Sequence, residues 1–225
     1  LLAGWGESYI SNEGNCIYVN ELAYDMGFRN GDHIISFDDH RPESFTMLQV
    51  DLAREEAQKA VVLRGADTVS IYIDHARIGE VLNSPGMFDL ARPFIIHSVA
   101  EGSANADSGL TAGDRIICID GISVPFVQDA WPVLESRAGS QVTAGVVRGN
   151  DTLIMNLQVD TTGRLGVYLE APEIQTRKYS LISAIPAGFR KTFSSIGGYL
   201  KDLKLVFTPS TEAYKSVGSF IAIGQ

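Results

Sequence analysis

"GFRNGDHIISFDD" occupies residues 27–39, and "GLTAGDRIICIDG" occupies residues 109–121. Gly27, Gly31, Asp32, Ile34, Ile35 and Asp38 recur 82 residues later as Gly109, Gly113, Asp114, Ile116, Ile117 and Asp120. A set of identities held in one register is the mark of a duplicated folding unit, since composition alone does not preserve spacing. Within each copy the Gly-Asp step reads as a turn, the Ile-rich stretch as a strand, and the second Asp as another turn. Asp32 and Asp114 could be mistaken for a catalytic acid pair. Their equivalent repeat positions predict instead that each carboxylate bonds the N–H groups of its own turn.

The flanks of the two stretches agree. Strand-like "CIYVNEL" (16–22) and "FIIHSVAEGS" (94–103) precede them, each followed by a short helical link, around Leu22–Met26 and Ala104–Ser108. Helix candidates follow: Phe45, Leu48 and Leu52 with Ser44 as N-cap, then Val127, Ala130, Trp131 and Leu134 with Asp129 as cap and Pro132 in the first turn. Each copy then carries a strand pair, "KAVVLRG" with "TVSIYI" (68–73) and "VTAGVVRG" with "TLIMNLQV" (152–159). The polar turns Gly65–Asp67 and Gly149–Asp151 separate them. A small, partly open sheet under one helix follows, and such a sheet keeps an exposed edge.

Composition sets the class. The 225 residues are 45% apolar, as in globular domains, and contain no apolar run of the ~18 residues that a membrane helix needs. No signal peptide is visible, and the Leu1-Leu2 start without Met reads as a piece of a longer chain. The net charge of −9 argues against nucleic-acid binding. It is unevenly spread: from Thr176 onward the balance is +5, leaving −14 on residues 1–175. Cys16 and Cys118 lie far apart with no Cys-x-x-Cys, and are expected as buried thiols rather than a disulfide or a metal site.

"AGDRIICIDG" (112–121), preceded by "SVAEGSANADSGL" (98–110), resembles the core signature of bacterial PDZ domains. Copy one resembles it more loosely, with Asp39 where the turn Gly would stand. The resemblance implies a mainly β fold with α (α+β): two circularly permuted PDZ-like domains in tandem plus a C-terminal amphipathic helical tail. The expected boundaries are 1–75, 76–170 and 171–225. PDZ domains bind an extended peptide along a sheet edge beside the long helix, with loop N–H groups capturing a terminal carboxylate. "WGESYIS" (5–11) and "IGEVLNS" (78–84) share Gly-Glu followed by alternating apolar residues. The expected peptide sites are therefore Trp5, Gly6, Leu48 and Leu52 in the first unit. In the second they are Ile78, Gly79, Val81, Val127, Trp131 and Leu134. "LGVYL" (165–169) is expected as a strand leading out of the second unit.

In the tail, Phe189, Phe193, Ile196, Leu200, Leu203 and Phe207 form one apolar helical stripe with Lys and Arg on the other face, fitting a helix on a membrane surface or one packed on the second unit. Tandem units followed by this tail and "YKSVGSFIAIG" (214–224) resemble the periplasmic region of bacterial site-2 proteases, intramembrane zinc metalloproteases of the regulator-of-sigma-E type. That implies a regulatory, substrate-gating pair at the periplasmic face of the inner membrane. Its partners would be C-terminal or extended segments of membrane-anchored proteins, such as anti-sigma factors or signal-peptide remnants, and the membrane surface.

Catalytic chemistry is not expected in this stretch. None of His33, His40, His75 and His97 starts a His-Glu-x-x-His, so zinc is expected only in the full-length protein, and no Gly-x-Ser-x-Gly elbow occurs. His97, on a strand, is expected as a core histidine. Two alternatives share the PDZ signature: a PDZ pair of a periplasmic trypsin-like serine protease, and a non-enzymatic peptide-binding scaffold.

Overall fold

A computed structural model describes residues 5–179, with side chains from Ser8 to Thr176. The tail stripe from Phe189 to Phe207 lies outside the described residues, and of Trp5 and Gly6 only the backbone is described. The described chain is mostly β with few helices, and it divides into two units, one ending at Leu90 and resumed from Glu173, the other spanning Ala91–Pro172.

The first unit opens with β1 (Trp5–Ile10), β2 (Ile17–Val19), α1 (Glu21–Asp25) and β3 (His33–Phe37). It continues with α2 (Leu48–Arg54), β4 (Lys59–Arg64), β5 (Asp67–Tyr72), α3 (Ile78–Asn83) and β6 (Phe88–Leu90). The second runs β7 (Ile96–Val99), β8 (Arg115–Ile119), β9 (Ile122–Ser123), α4 (Val127–Ser136), β10 (Gln141–Arg148), β11 (Asp151–Gln158) and β12 (Val167–Leu169). A last strand, β13 (Ile174–Tyr179), pairs antiparallel with β1 and so returns to the first unit.

The two units repeat one plan. β3-β4-β5 form one antiparallel sheet and β8-β10-β11 the core of the other. The last strand of each repeat pairs with its first, β6 with β2 and β12 with β7. The unit boundary therefore falls after Leu90, not after residue 75, because α3 and β6 complete the first core. Likewise the stretch 165–169 is no exit strand: β12 is the strand that closes the second unit.

Both duplicated stretches do the same structural work. Asp32 Oδ2 accepts the Arg29 N–H at 2.9 Å, and Asp114 Oδ2 accepts the Thr111 N–H at 2.8 Å. The second Asp of each stretch, Asp38 or Asp120, adopts positive φ (47° and 49°), which short polar side chains tolerate best after Gly. Their carboxylates bond the next strand's start, Asp38 to the N–H groups of Gln58 and Lys59, Asp120 to that of Thr143.

Leu48 and Leu52 of α2, and Val127, Ala130 and Leu134 of α4, turn inward on their sheets. A fully buried Leu stabilises by roughly 2 kcal/mol. Several local expectations need correction. Ser44 makes no side-chain cap bond, its hydroxyl meeting Thr46 instead, and it precedes a single 3₁₀ turn (Phe45–Met47) leading into α2. The cap of α4 is Phe126, with Asp129 one turn in and accepting the Phe126 N–H at 3.1 Å, so Pro132 sits inside the helix. Residues 104–108 form successive turns, not a helix. His97 points outward, because Ile96 takes the inward register of β7. Cys16 and Cys118 are free, but both are half-buried rather than buried.

Candidate functional site

A cleft of about 600 Å³ opens in the second unit between α4 and the segment 160–169. Trp131, Leu134 and Glu135 form its helical wall, and Asp160, Arg164, Leu165 and Tyr168 its opposite wall. Trp131 is 56% exposed and Tyr168 62% exposed, so two large aromatic rings flank an open channel while Leu134 and Leu165 are buried beneath it. β12 pairs only with β7 among the described residues, which leaves its other edge unpaired.

The loop before β12 is rigidly built. Asp160 Oδ1 accepts the Thr162 N–H (2.8 Å), the Thr162 hydroxyl (2.7 Å) and the Arg164 N–H (2.8 Å). These bonds, the Thr162 hydroxyl foremost, hold the Asp160 carboxyl below its ordinary range. Asn105, almost fully buried, donates to the carbonyls of Gln158 and Leu165 at 2.7 and 2.8 Å and accepts the Gln158 N–H, tying the end of β11 to the loop. Two glycines bring the loop close to its supports. Gly163 has φ +76°, and a Cβ there would lie 2.9 Å from Glu135 Cα. Gly166 has φ +66°, and a Cβ there would lie 2.6 Å from the Ser103 Cβ.

That construction has a chemical consequence. The Gly166 carbonyl accepts from Ala100 N at 2.9 Å, but the N–H groups of Leu165 and Gly166 have no acceptor among the described residues. By the alternation of an antiparallel ladder, the N–H and C=O of Val167 point away from β7, toward the cleft. Successive N–H donors at the end of an unpaired strand edge can hold an anionic oxygen and align an extended chain. Arg164 adds a cation beside them, offset by Glu135 and Asp160 in the same walls.

Of the residues expected from sequence to bind peptide, Trp131 and Leu134 line this cleft, while Val127 is buried in the second core. Ile78, Gly79 and Val81 do not belong to this unit: they lie on α3, with Ile78 and Val81 fully buried in the first core. A helix buried on one face cannot supply the peptide site expected at Ile78, Gly79 and Val81. Leu48 and Leu52 are likewise fully buried in the first core. Trp5 and Gly6 lie on β1, which pairs with β13. Sequence reasoning missed the loop 160–166, although the glycine of Leu165-Gly166-Val167, set beside Arg164, was the available signal.

Among the described residues no three His, Cys, Asp or Glu side chains gather closely enough to hold a metal ion. No described helix is long and apolar enough to cross a membrane.

No protein-family model matches the chain. The sequence is 30% identical over 118 residues to a protein of Agrobacterium fabrum named as a zinc metalloprotease, covering 46% of this chain and 31% of that one. The chain thus spans about a third of that relative's length. Among solved structures it is similar to the PDZ domain of an SdrC-like protein from Listeria monocytogenes (TM-score 0.31, 25% identity, 33% of this chain and 84% of that chain). It is also similar to the PDZ domain of an SdrC-like protein from Listeria innocua (TM-score 0.32, 25% identity, 36% of this chain and 97% of that chain).

Proposed function

We propose that the chain is a tandem of circularly permuted PDZ-type modules that selects substrates for a zinc metalloprotease of the site-2 type, and that its second unit takes an extended peptide C-terminus into the cleft between α4 and β12. The observation that carries this reading is the pair of uncommitted N–H groups at Leu165 and Gly166, standing at the end of an unpaired strand edge beside a helix. The order of elements supports the permuted form, because β12, which borders the cleft, comes last in its repeat and pairs back to β7, as β6 pairs back to β2 in the first. The similarity to a zinc metalloprotease supports the protease association.

On this reading the last side chain of the peptide enters toward Leu134 and Leu165, and the residues before it pass between Trp131 and Tyr168. The substrates are membrane-anchored proteins whose earlier cut has exposed a new C-terminus, and the chain works on the periplasmic side of the membrane. On this reading the zinc and the hydrolytic step belong to the full-length protease.

Titration of the 225-residue chain with a fluorescent peptide ending in Val tests the reading. The free carboxylate is expected to bind at least about tenfold more tightly than the C-terminal amide, the loss of one charge-assisted contact. Equal affinity for the two forms would remove the carboxylate role. No binding of either would leave exclusion of bulky substrates as the way the tandem gates.

A further inference from the structure

The two units differ where their plans should match. Between β11 and β12 the second unit spends 8 residues, 159–166, on the cleft loop. Between β5 and β6 the first unit spends 15 residues, 73–87, and folds part of them into α3. The extra chain does not hang free. Ile78 and Val81 are fully buried in the same core as Leu48 and Leu52 of α2. At the 82-residue offset, Leu48 and Leu52 correspond to Ala130 and Leu134 of α4, and Gln49 corresponds to Trp131.

Gln49 makes the contrast specific. Its Nε2 donates to the carbonyls of Val81 and Ser84 at 2.6 and 2.7 Å, at the C-terminal end of α3, where the Val81 carbonyl also accepts the Ser84 N–H at 3.3 Å. Asn20 adds a bond from Nδ2 to the Ser84 hydroxyl at 2.8 Å. The position that carries an open aromatic wall in the second unit therefore carries an amide strap in the first, and the strap holds the chain's own helix.

We infer that α3 is a built-in occupant of the first unit's groove, so that the tandem offers one peptide site, in the second unit, and keeps the first closed. This rests on the peptide-capture reading for the second unit alone; the filling of the first groove stands on α3 itself.

Two measurements test it on the 225-residue chain. The first is calorimetric titration with the Val-ending peptide, comparing the native chain with Trp131→Asp. One equivalent bound by the native chain and none by the variant is expected. A second equivalent, or one equivalent surviving in Trp131→Asp, would overturn the inference. The second measurement is thiol labelling of Val81→Cys and Leu82→Cys on a Cys16→Ser, Cys118→Ser background. Leu82 is 39% exposed on the same helix and serves as the open reference. Val81→Cys is expected to label at least about tenfold more slowly, since reagent reaches it only when α3 lifts. Equal labelling rates would overturn the inference. If the native chain binds no peptide, the capture reading fails, and the labelling ratio alone decides whether α3 fills the groove.

Discussion

Arg148 clasps both oxygens of Asp114, Nε and Nη2 each at 2.7 Å, and Asp114 is fully buried. The same Nη2 reaches the Gly109 carbonyl at 2.8 Å, which locks the turn that begins the duplicated stretch to the hairpin that ends the sheet. The first unit repeats the clasp: Arg64 holds Asp32 at 2.8 Å through both nitrogens and Gly27 O at 2.9 Å. A two-pronged guanidinium–carboxylate pair is geometrically selective as well as strong.

Asp114→Asn is expected to destabilise the second unit by roughly 2–3 kcal/mol, because the buried amide cannot accept both prongs and Arg148 loses its charged partner. On a Trp5→Phe background, denaturant unfolding followed by Trp131 fluorescence reads this unit. Asp32→Asn should leave that transition in place and weaken the first unit instead. An effect of either variant on the wrong unit would contradict the paired design.

The same clasp sets an acid limit. Arg148 foremost holds the Asp114 carboxyl below its ordinary value. A carboxylate lowered in the folded state contributes stability that is fully present above its unfolded value of about 4 and lost as pH falls through the folded value. Stability of the second unit is therefore expected to be flat from neutral pH down to about 5 and to decline below 4. Thermal unfolding across that range checks it, and Asp114→Asn should flatten part of the decline.

Gly163→Ala is expected to cost about 1–3 kcal/mol, since Ala is strained at this positive φ and its methyl would press on the backbone of Glu135. Displacing the loop should weaken Val-ending peptide binding more than it lowers the melting temperature of the chain. Gly149→Ala is the control: its φ is also positive, +60°, but nothing lies within 4 Å of its added Cβ, so binding should be unchanged.

Ile78→Asp is expected to disrupt the first unit, by roughly 3–5 kcal/mol, because it places a carboxylate in a fully buried position. It should leave the second unit's peptide affinity intact. Trp131→Asp, at an exposed wall position, should do the reverse. Hydrogen exchange resolved by unit, run beside the peptide titration, separates the two outcomes.

The duplicated unit was legible in the sequence because turns and strands obey local rules. Gly31-Asp32 and Gly113-Asp114 announce a turn, and Ile34 and Ile116 a buried strand, whatever lies around them. The arginines that clasp those aspartates were visible as Arg64-Gly65 and Arg148-Gly149 at the same hairpin in both copies, yet only geometry shows which acid they meet. The candidate site divides in the same way. Trp131 and Leu134 follow from helical spacing on α4. The loop that faces them does not, because "IGEVLNS" and "RLGVYL" are similarly apolar, and whether such a segment becomes a helix on α2 or an open strand beside α4 depends on the partner it packs against. Sequence alone determined that one mainly β unit is used twice, since local hydrogen bonding and hydrophobic periodicity are written in neighbouring residues. Only the tertiary structure decided that β6 pairs back to β2 and β12 to β7, that α3 packs into the first core beside α2, and that a cleft stands open beside α4 in the second. Those outcomes rest on contacts between residues more than 30 positions apart, such as Gln49 with Val81 and Ser84.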